Sequence, residues 1–404
     1  MTASKTRSFP TRRLAVGLAG YCAFLNLYSP QAILPMMSQE FGATAAEIST
    51  IMTASTLAVA LTAPFTGTIA DVLGRKRVIV AALFVLVVPT LMVAWAPTLT
   101  ALIAWRFVQG LVLPPIFAVV IAYIGEEWPP HEATGAVGAY ASGAALGGFS
   151  GRFFTGILAD LVGWRLGFSM LGLLTLIGAL GVAVMLPREK KFVRSEGLVA
   201  SGRQMLRHFR NPQLLATYAV GFGVLFNFIA TFTYINFRLA APPYNFSPTA
   251  LGLVFIVYLV GSVLTPTIGM AVGRFGRRHF MMGVVAVWIA GIGLTLLDPL
   301  WLIIVGLALC AGCGMLSQAV STSAVALSAQ AGRSSAVGLY VTSFYIGGSF
   351  GAALGGFAWT LGGWPACAAM VAIMLAIMLG IVTLAWSRGS TPTPPGPIAP
   401  AEPA

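Results

Sequence analysis

The chain has 404 residues, of which 58% are hydrophobic and 8% charged, and its mean hydropathy is +0.89. Soluble domains carry roughly 25% charged residues, so this composition excludes an ordinary soluble domain and points to a membrane protein. A net charge of +12 would suit a nucleic-acid partner, but the basic residues fall in segments between apolar runs, which makes them topology signals and argues against nucleic-acid binding.

A run of about 20 apolar residues is long enough to cross a bilayer as a helix. Twelve runs qualify, at about 14–37, 46–69, 78–96, 99–124, 133–158, 165–186, 214–239, 249–272, 279–297, 300–324, 334–359 and 364–386. The first is too long for a signal peptide and lacks a small-residue cleavage site, so it reads as a span. Residues 1–13 hold Lys5, Arg7, Arg12 and Arg13, and Arg75, Lys76 and Arg77 follow the second run. The polar interruption 187–213 holds seven more basic residues; Arg274, Arg277 and Arg278 follow the eighth run, Arg333 the tenth and Arg388 the last. All of these lie on one side of the membrane, while the other side offers Arg165 and, at its border, Arg238. The positive-inside rule then makes both termini cytoplasmic. The expected organisation is an N-terminal segment 1–13, a six-span bundle 14–186, a central loop 187–213, a second six-span bundle 214–387 and a Pro-rich disordered tail 388–404.

The chain carries little that reads as catalysis. Cys22, Cys310, Cys313 and Cys367 all lie inside spans, where the C-x-x-C of Cys310 and Cys313 reads as small-residue packing. His131, His208 and His279 sit in separate loops without metal-ligand spacing, and no phosphate-binding G-x-x-x-x-G-K-[ST] is present. Neither an enzyme, a cofactor nor a metal is expected.

The two halves repeat. GTIADVLGRKR at 67–77 returns as GMAVGRFGRRH at 269–279, and GAVGAYASGAALGGFSG at 135–151 returns as SAVGLYVTSFYIGGSFG at 335–351. Asn26 pairs with Asn227, Gly110 with Gly312 and Trp164 with Trp364. Parallel halves of this kind imply a substrate site near the midplane between them. The copies differ in charge, because Asp71 is answered by Gly273, Arg106 by Ala308 and Arg152 by Ala352.

Polar residues inside spans mark the candidate path, since they are costly against lipid. In chain order they are Asn26, Tyr28 and Gln31, then Arg106 and Gln109, then Arg152. Asn227, Thr231, Tyr234 and Arg238 follow on one face of the seventh span, and Tyr258 and Gln318 complete the set. Pro114–Pro115 should kink the fourth span. Gly143, Gly147 and Gly151, with Gly347 and Gly351 in the repeat, form small-residue stripes for helix packing. None of the acidic residues, among them Glu40, Glu47, Asp71, Glu126, Glu127, Glu132, Asp160 and Asp298, lies near the middle of a span. Glu40 and Asp160 are expected to pair with Arg106, Arg152 or Arg238 as a gate on the non-cytoplasmic side. The acid-free interior favours a neutral or anionic solute.

The chain resembles the major facilitator superfamily over nearly all of its length. Gly67, Asp71, Gly74, Arg75 and Lys76 match the signature G-x-L-x-D-x-x-G-R-[KR], with Ile69 in place of Leu. LIAWRFVQGLVLPP is similar to a second signature of drug/proton antiporters through Arg106, Gln109 and Gly110. The fifth span is similar to a third, but has Ala144 at its proline. Segments such as LYSPQAILPMMSQEFG and YINFRL resemble the YnfM-type acriflavine-sensitivity group. The resemblance implies an all-α, twelve-helix fold of two pseudo-symmetric bundles in a bacterial inner membrane, working as a monomer. It implies proton-driven export of a small organic solute, with protons as the coupling partner. It also implies a conformational latch at Asp71 that holds the outward-facing state, bonded to Arg75 and to the end of an adjacent helix, and completed by Glu126 or Glu127. The residues alone leave the turn open to a plainer role in topology and folding, and leave a uniporter or importer of a small organic anion, or a non-transporting sensor or scaffold, as alternative functions.

Overall fold

The structure, a computed structural model, describes residues 9–189, 208–328 and 333–386. Most of the central loop and the whole tail 388–404 lie outside the described residues. The described chain is helical: α1 (Phe9–Leu27), α2 (Leu34–Glu40), α3 (Ala45–Leu73), α4 (Arg75–Ala94), α5 (Leu99–Val112), α6 (Pro114–Glu127), α7 (Pro130–Val162) and α8 (Trp164–Met185) form one bundle. The second holds α9 (Pro212–Ala240), α10 (Pro248–Val254), α11 (Tyr258–Leu264), α12 (Ile268–Phe275), α13 (Arg277–Leu294), α14 (Leu300–Ser328) and α15 (Arg333–Ala385).

Among the described residues, eight helices are by themselves long and apolar enough to cross a membrane. The last of these is two spans, because α15 reverses at Gly362 and Gly363. α1, α7 and α13 complete the twelve, their hydropathy lowered by arginines or by small polar residues.

Three runs are broken: the fourth at the prolines expected to kink it, and the first and eighth where continuous helices are expected. The first span divides at a 3-10 turn, Ser29–Ile33, where Pro30 and Pro35 cannot donate backbone hydrogen bonds. The fourth divides at Leu113, ahead of Pro114–Pro115. The eighth passes through 3-10 turns at Phe255–Val257 and Thr265–Thr267. The basic turn differs too: α3 runs on to Leu73, so Asp71 is helical and the reversal is Gly74 alone, at φ +92°. Gly163, Gly276 and Gly363 reverse the chain in the same left-handed region, at φ +85°, +75° and +60°. Only glycine adopts such angles without steric cost.

Glycines also set the packing within each bundle. A Cβ added at Gly143, Gly147 or Gly151 would lie 2.0, 2.2 and 2.3 Å from the carbonyl oxygens of Gly17, Tyr21 and Leu25, so α7 lies directly on the backbone of α1. In the repeat, Gly347 and Gly351 stand equally close to Phe222 and Phe226 of α9. The stripes therefore sit at the interfaces between the first and fifth spans and between the seventh and eleventh.

Candidate functional site

The bundles meet mainly in the half of the molecule away from the basic turns, here called the far end. Gln31 Nε2 donates to Thr233 Oγ1 at 3.0 Å, and Asn236 Nδ2 donates to the Gln31 carbonyl at 2.9 Å. Tyr234 OH donates to Ser49 Oγ at 2.6 Å and also reaches the Ala352 carbonyl. Thr56 and Ser349 share a hydrogen bond of 2.9 Å, and Thr249 N donates to Asp160 at 2.8 Å. Bulk is excluded there as well, since a Cβ at Gly156 would come within 2.4 Å of the Pro248 carbonyl oxygen.

The basic end differs. Thr134 and Ser142 of α7, Thr267 before α12, and Gln318, Thr322 and Ser323 of α14 are exposed. Thr267, Thr322 and Ser323 donate to carbonyls of their own segments, but polar side chains still favour water over lipid. We read their gathering at the basic end, against the bonded seam at the far end, as an aqueous vestibule open at the basic end. Of the candidate path residues, Gln318 lies in this vestibule. Two apolar grooves of about 540 and 470 Å³ lie elsewhere, between spans seven, eleven and twelve and between spans eight, nine and ten.

Arg106 and Arg152 are both fully buried and have contrasting surroundings. Arg106 donates to the carbonyls of Asn26 (3.0 Å) and Leu27, to Gln109 Oε1 and to Ser55 Oγ (3.1 Å); its Nε has no partner. Asn26 and Leu27 end α1, and carbonyls there lose their helical partners. Arg106 thus caps the break in the first span. Gln109 Nε2 donates to Thr90 at 2.8 Å, Thr90 donates to Asn26 Oδ1 at 2.8 Å, and Asn26 Nδ2 donates to Thr175 at 2.8 Å. This network ties together spans one, two, three, four and six, all within one bundle.

Arg152 lies between the bundles. Its Nε donates to Gln31 Oε1 at 2.8 Å, Nη1 to the Gly148 carbonyl, and Nη2 to Tyr258 OH at 3.4 Å. The guanidinium carbon lies 4.6 Å from the ring centres of Tyr28 and Phe255 and 4.7 Å from that of Tyr258. Among the described residues no carboxylate pairs with it.

The polar face of the seventh span does not act as one surface. Asn227 contacts Met378 Sδ at 3.2 Å, Tyr234 turns to Ser49, and Arg238 reaches the Thr295 and Leu297 carbonyls and Asp298 at the far end of the ninth span. Thr231 Oγ1 has no partner. The proposed pairing of Glu40 and Asp160 with buried arginines is not formed. Glu40 instead accepts from Trp164 Nε1 and Arg165, which begin the sixth span beside it, and Asp160 accepts from Thr249 N.

At the basic end Arg75 grips Glu126 through Nε and Nη2, and its Nη2 lies 3.1 Å from Asp71 Oδ1. Burial pushes the Asp71 carboxyl above its ordinary value, outweighing Arg75. Lys76 N donates to Glu189 at 3.3 Å, and the Glu127 carbonyl accepts from Arg12 at 3.4 Å. Gly67 is exposed and bordered by open space. The Asp71–Arg75–Glu126 cluster lies wholly in the first bundle and is formed while the basic end is open, so its formation does not require the outward-facing state that the resemblance assigns to it.

Sequence reasoning missed Ser49, Thr56, Thr233, Asn236 and Ser349 at the far-end seam, and Ser55, Thr90 and Thr175 in the Arg106 network. Each is a small hydroxyl or amide in an apolar helix, with no spacing that sets it apart in the sequence.

Two bundles of six spans, related by an internal repeat and meeting around a vestibule, define a membrane transporter. The profile of the Major Facilitator Superfamily matches residues 16–240 and again 227–403, and the chain belongs to that family. It is 34% identical over 382 residues to the inner membrane transport protein YnfM of Escherichia coli K12, covering 94% of this chain and 91% of that one. Among solved structures, a bacterial homologue of the human lysosomal transporter Spinster, inward-facing and unoccupied, superposes with TM-score 0.73 at 16% identity over 95% of this chain and 100% of that one. The nucleoside transporter NupG gives 0.73 at 14% identity over 93% and 99%.

Proposed function

We propose that the protein is a secondary transporter of the bacterial inner membrane, moving a small organic solute by alternating access. The observation that carries this reading is the asymmetry of the bundle seam, hydrogen-bonded across at the far end and bordered by exposed polar side chains at the basic end. With the basic turns cytoplasmic, as the positive-inside rule argues, that opening faces inward and both termini are cytoplasmic. Proton-coupled efflux is the mode supported by the antiporter-like signatures and by the likeness to YnfM, and the working unit is a monomer in the bilayer. The boundaries of the bundles are 14–186 and 214–387, joined by 187–213. In this scheme Asn26, Arg106 and Gln109 brace the first bundle, whereas Tyr28, Gln31, Arg152, Tyr234 and Tyr258 form the gate at the far end. The Asp71–Arg75–Glu126 cluster braces the second, third and fourth spans and biases the equilibrium between the two open states.

A second reading, a uniporter or importer of an organic anion, is favoured by the buried, carboxylate-free Arg152. Purified protein in liposomes with an imposed pH gradient, screened against dyes, sugars and organic anions, separates the two. Solute-dependent collapse of the gradient supports proton coupling. Flux independent of the gradient supports the uniporter, and no flux of any solute would overturn the transporter reading.

A further inference from the structure

Arg152 poses a chemical problem that Arg106 does not. The partners of Arg106 all belong to its own bundle, so a rigid movement of one bundle against the other leaves them in place. Those of Arg152 are divided. Gln31, the Gly148 carbonyl and the Tyr28 ring move with it, whereas Tyr258 OH and the rings of Tyr258 and Phe255 belong to the other bundle. When the far end opens, the guanidinium loses a hydrogen bond and two of its three stacked rings at once, in a site where no carboxylate of the described residues pairs with it. Its repeat counterpart is the buried Ala352, so the fold does not demand a cation at this depth.

We propose that Arg152 is an anion-binding site uncovered by opening of the far end, and that its ligand is a monovalent organic anion with a flat or aromatic body. The inference rests on the alternating-access reading. A single guanidinium calls for a single negative group, and a carboxylate accepts its paired N–H groups in a fork. Phe228, Phe232 and Phe255 surround Tyr258 with ring centres 4.9, 4.7 and 5.5 Å away, and supply an apolar, aromatic wall for the rest of the ligand. Tyr258 and Phe255 compete with the anion for the same cation. Binding therefore opposes closure of the far end, and closure expels the anion. That difference in affinity between states is what lets a ligand shift a conformational equilibrium. The site is neutral as to direction, since it loads an anion arriving from the far side and releases one leaving there.

The test uses the full-length protein, benzoate as probe and benzamide as its neutral isostere, with affinity read by calorimetry in detergent. Gly156→Trp places a ring where even a Cβ meets the Pro248 backbone, so this variant cannot close the far end. Its affinity for benzoate is expected to rise about tenfold, by removal of the cost of populating a minor state. Adding Arg152→Gln should abolish that binding, and benzamide should bind neither protein. If Gly156→Trp fails to fold, Tyr258→Leu uncovers the guanidinium by another route and should also tighten benzoate binding. Equal binding of benzoate and benzamide, benzoate binding that survives Arg152→Gln, or no benzoate binding to either opened variant would overturn the proposal. Benzoate binding that requires Arg152, together with no flux of any solute in liposomes, would keep the anion site and sink the transporter reading instead.

Discussion

At the scale of single residues, two equally buried arginines carry different expectations. Arg106 satisfies the Leu27 carbonyl and shares that of Asn26 with Ser29 Oγ, both left open by the broken first span. Each buried acceptor left unpaired costs about 1–3 kcal/mol. Arg106→Leu should therefore lower the unfolding midpoint of the purified protein, with transport per folded molecule largely retained. An unchanged midpoint with transport lost would place Arg106 in the solute path. Glu40 gives a pH signature. Burial pushes its carboxyl up, but the hydrogen bonds from Arg165 and Trp164 prevail and hold it below its ordinary value of 4.5. A folded pKa below the unfolded one adds stability above that value and loses it as pH falls through the folded pKa. Both partners are more than a third exposed, so the contribution is about 1 kcal/mol or less. Glu40→Gln should be measurably less stable than the parent in thermal melts at pH 7, and the gap should close on acidification below pH 4.5. A constant gap would mean that the carboxylate charge is not what the clasp uses. Sequence reasoning found both buried arginines because a cation inside a span is conspicuous. It misassigned the partners of Glu40 and Asp160, because the nearest neighbours come from a span start and a backbone amide that only the packing brings close.

At the scale of elements, the glycine stripes are where the sequence was most legible. Four-residue spacing puts Gly143, Gly147 and Gly151 on one helix face, and the structure lays that face on α1. Gly147→Val would drive side-chain atoms into the Tyr21 carbonyl, and overpacking of this kind costs about 1–3 kcal/mol or more. The expected outcome is a lower yield of monodisperse protein by size exclusion, and a normal elution profile and melting point would contradict so close a helix contact. The breaks in spans one and eight were less legible. Pro30, Pro35 and Pro266 are visible, but how the carbonyls at the first break are satisfied depends on Arg106, a residue in another span. Gly138, the counterpart of Gly338, has open space around it, so repetition in sequence did not by itself imply contact.

At the scale of the whole molecule, the one-ended vestibule predicts a pattern of chemical access. The four native cysteines are free and buried, so introduced thiols can be followed against a quiet background. Ser323→Cys or Ser142→Cys should react with a membrane-impermeant maleimide added from the basic side, whereas Thr233→Cys at the far-end seam should react only while the far end is open. Equal labelling of all three from both sides would contradict a closed far end. The fold was legible because length, apolar runs and repeat are properties of the chain taken alone. The seam between bundles was not, because it is built from isolated hydroxyls and amides whose meaning comes from the partner they meet. The single-glycine reversals carry a further consequence, for how the chain enters a bilayer. On the far side, Gly163 and the Gly362–Gly363 pair join helices directly, and the remaining connections there run from four residues at 41–44 to seven at 241–247. With the basic turns cytoplasmic, as proposed above, almost no polar peptide has to be carried across the hydrocarbon during biogenesis, and the basic segments stay on the side where the chain is made.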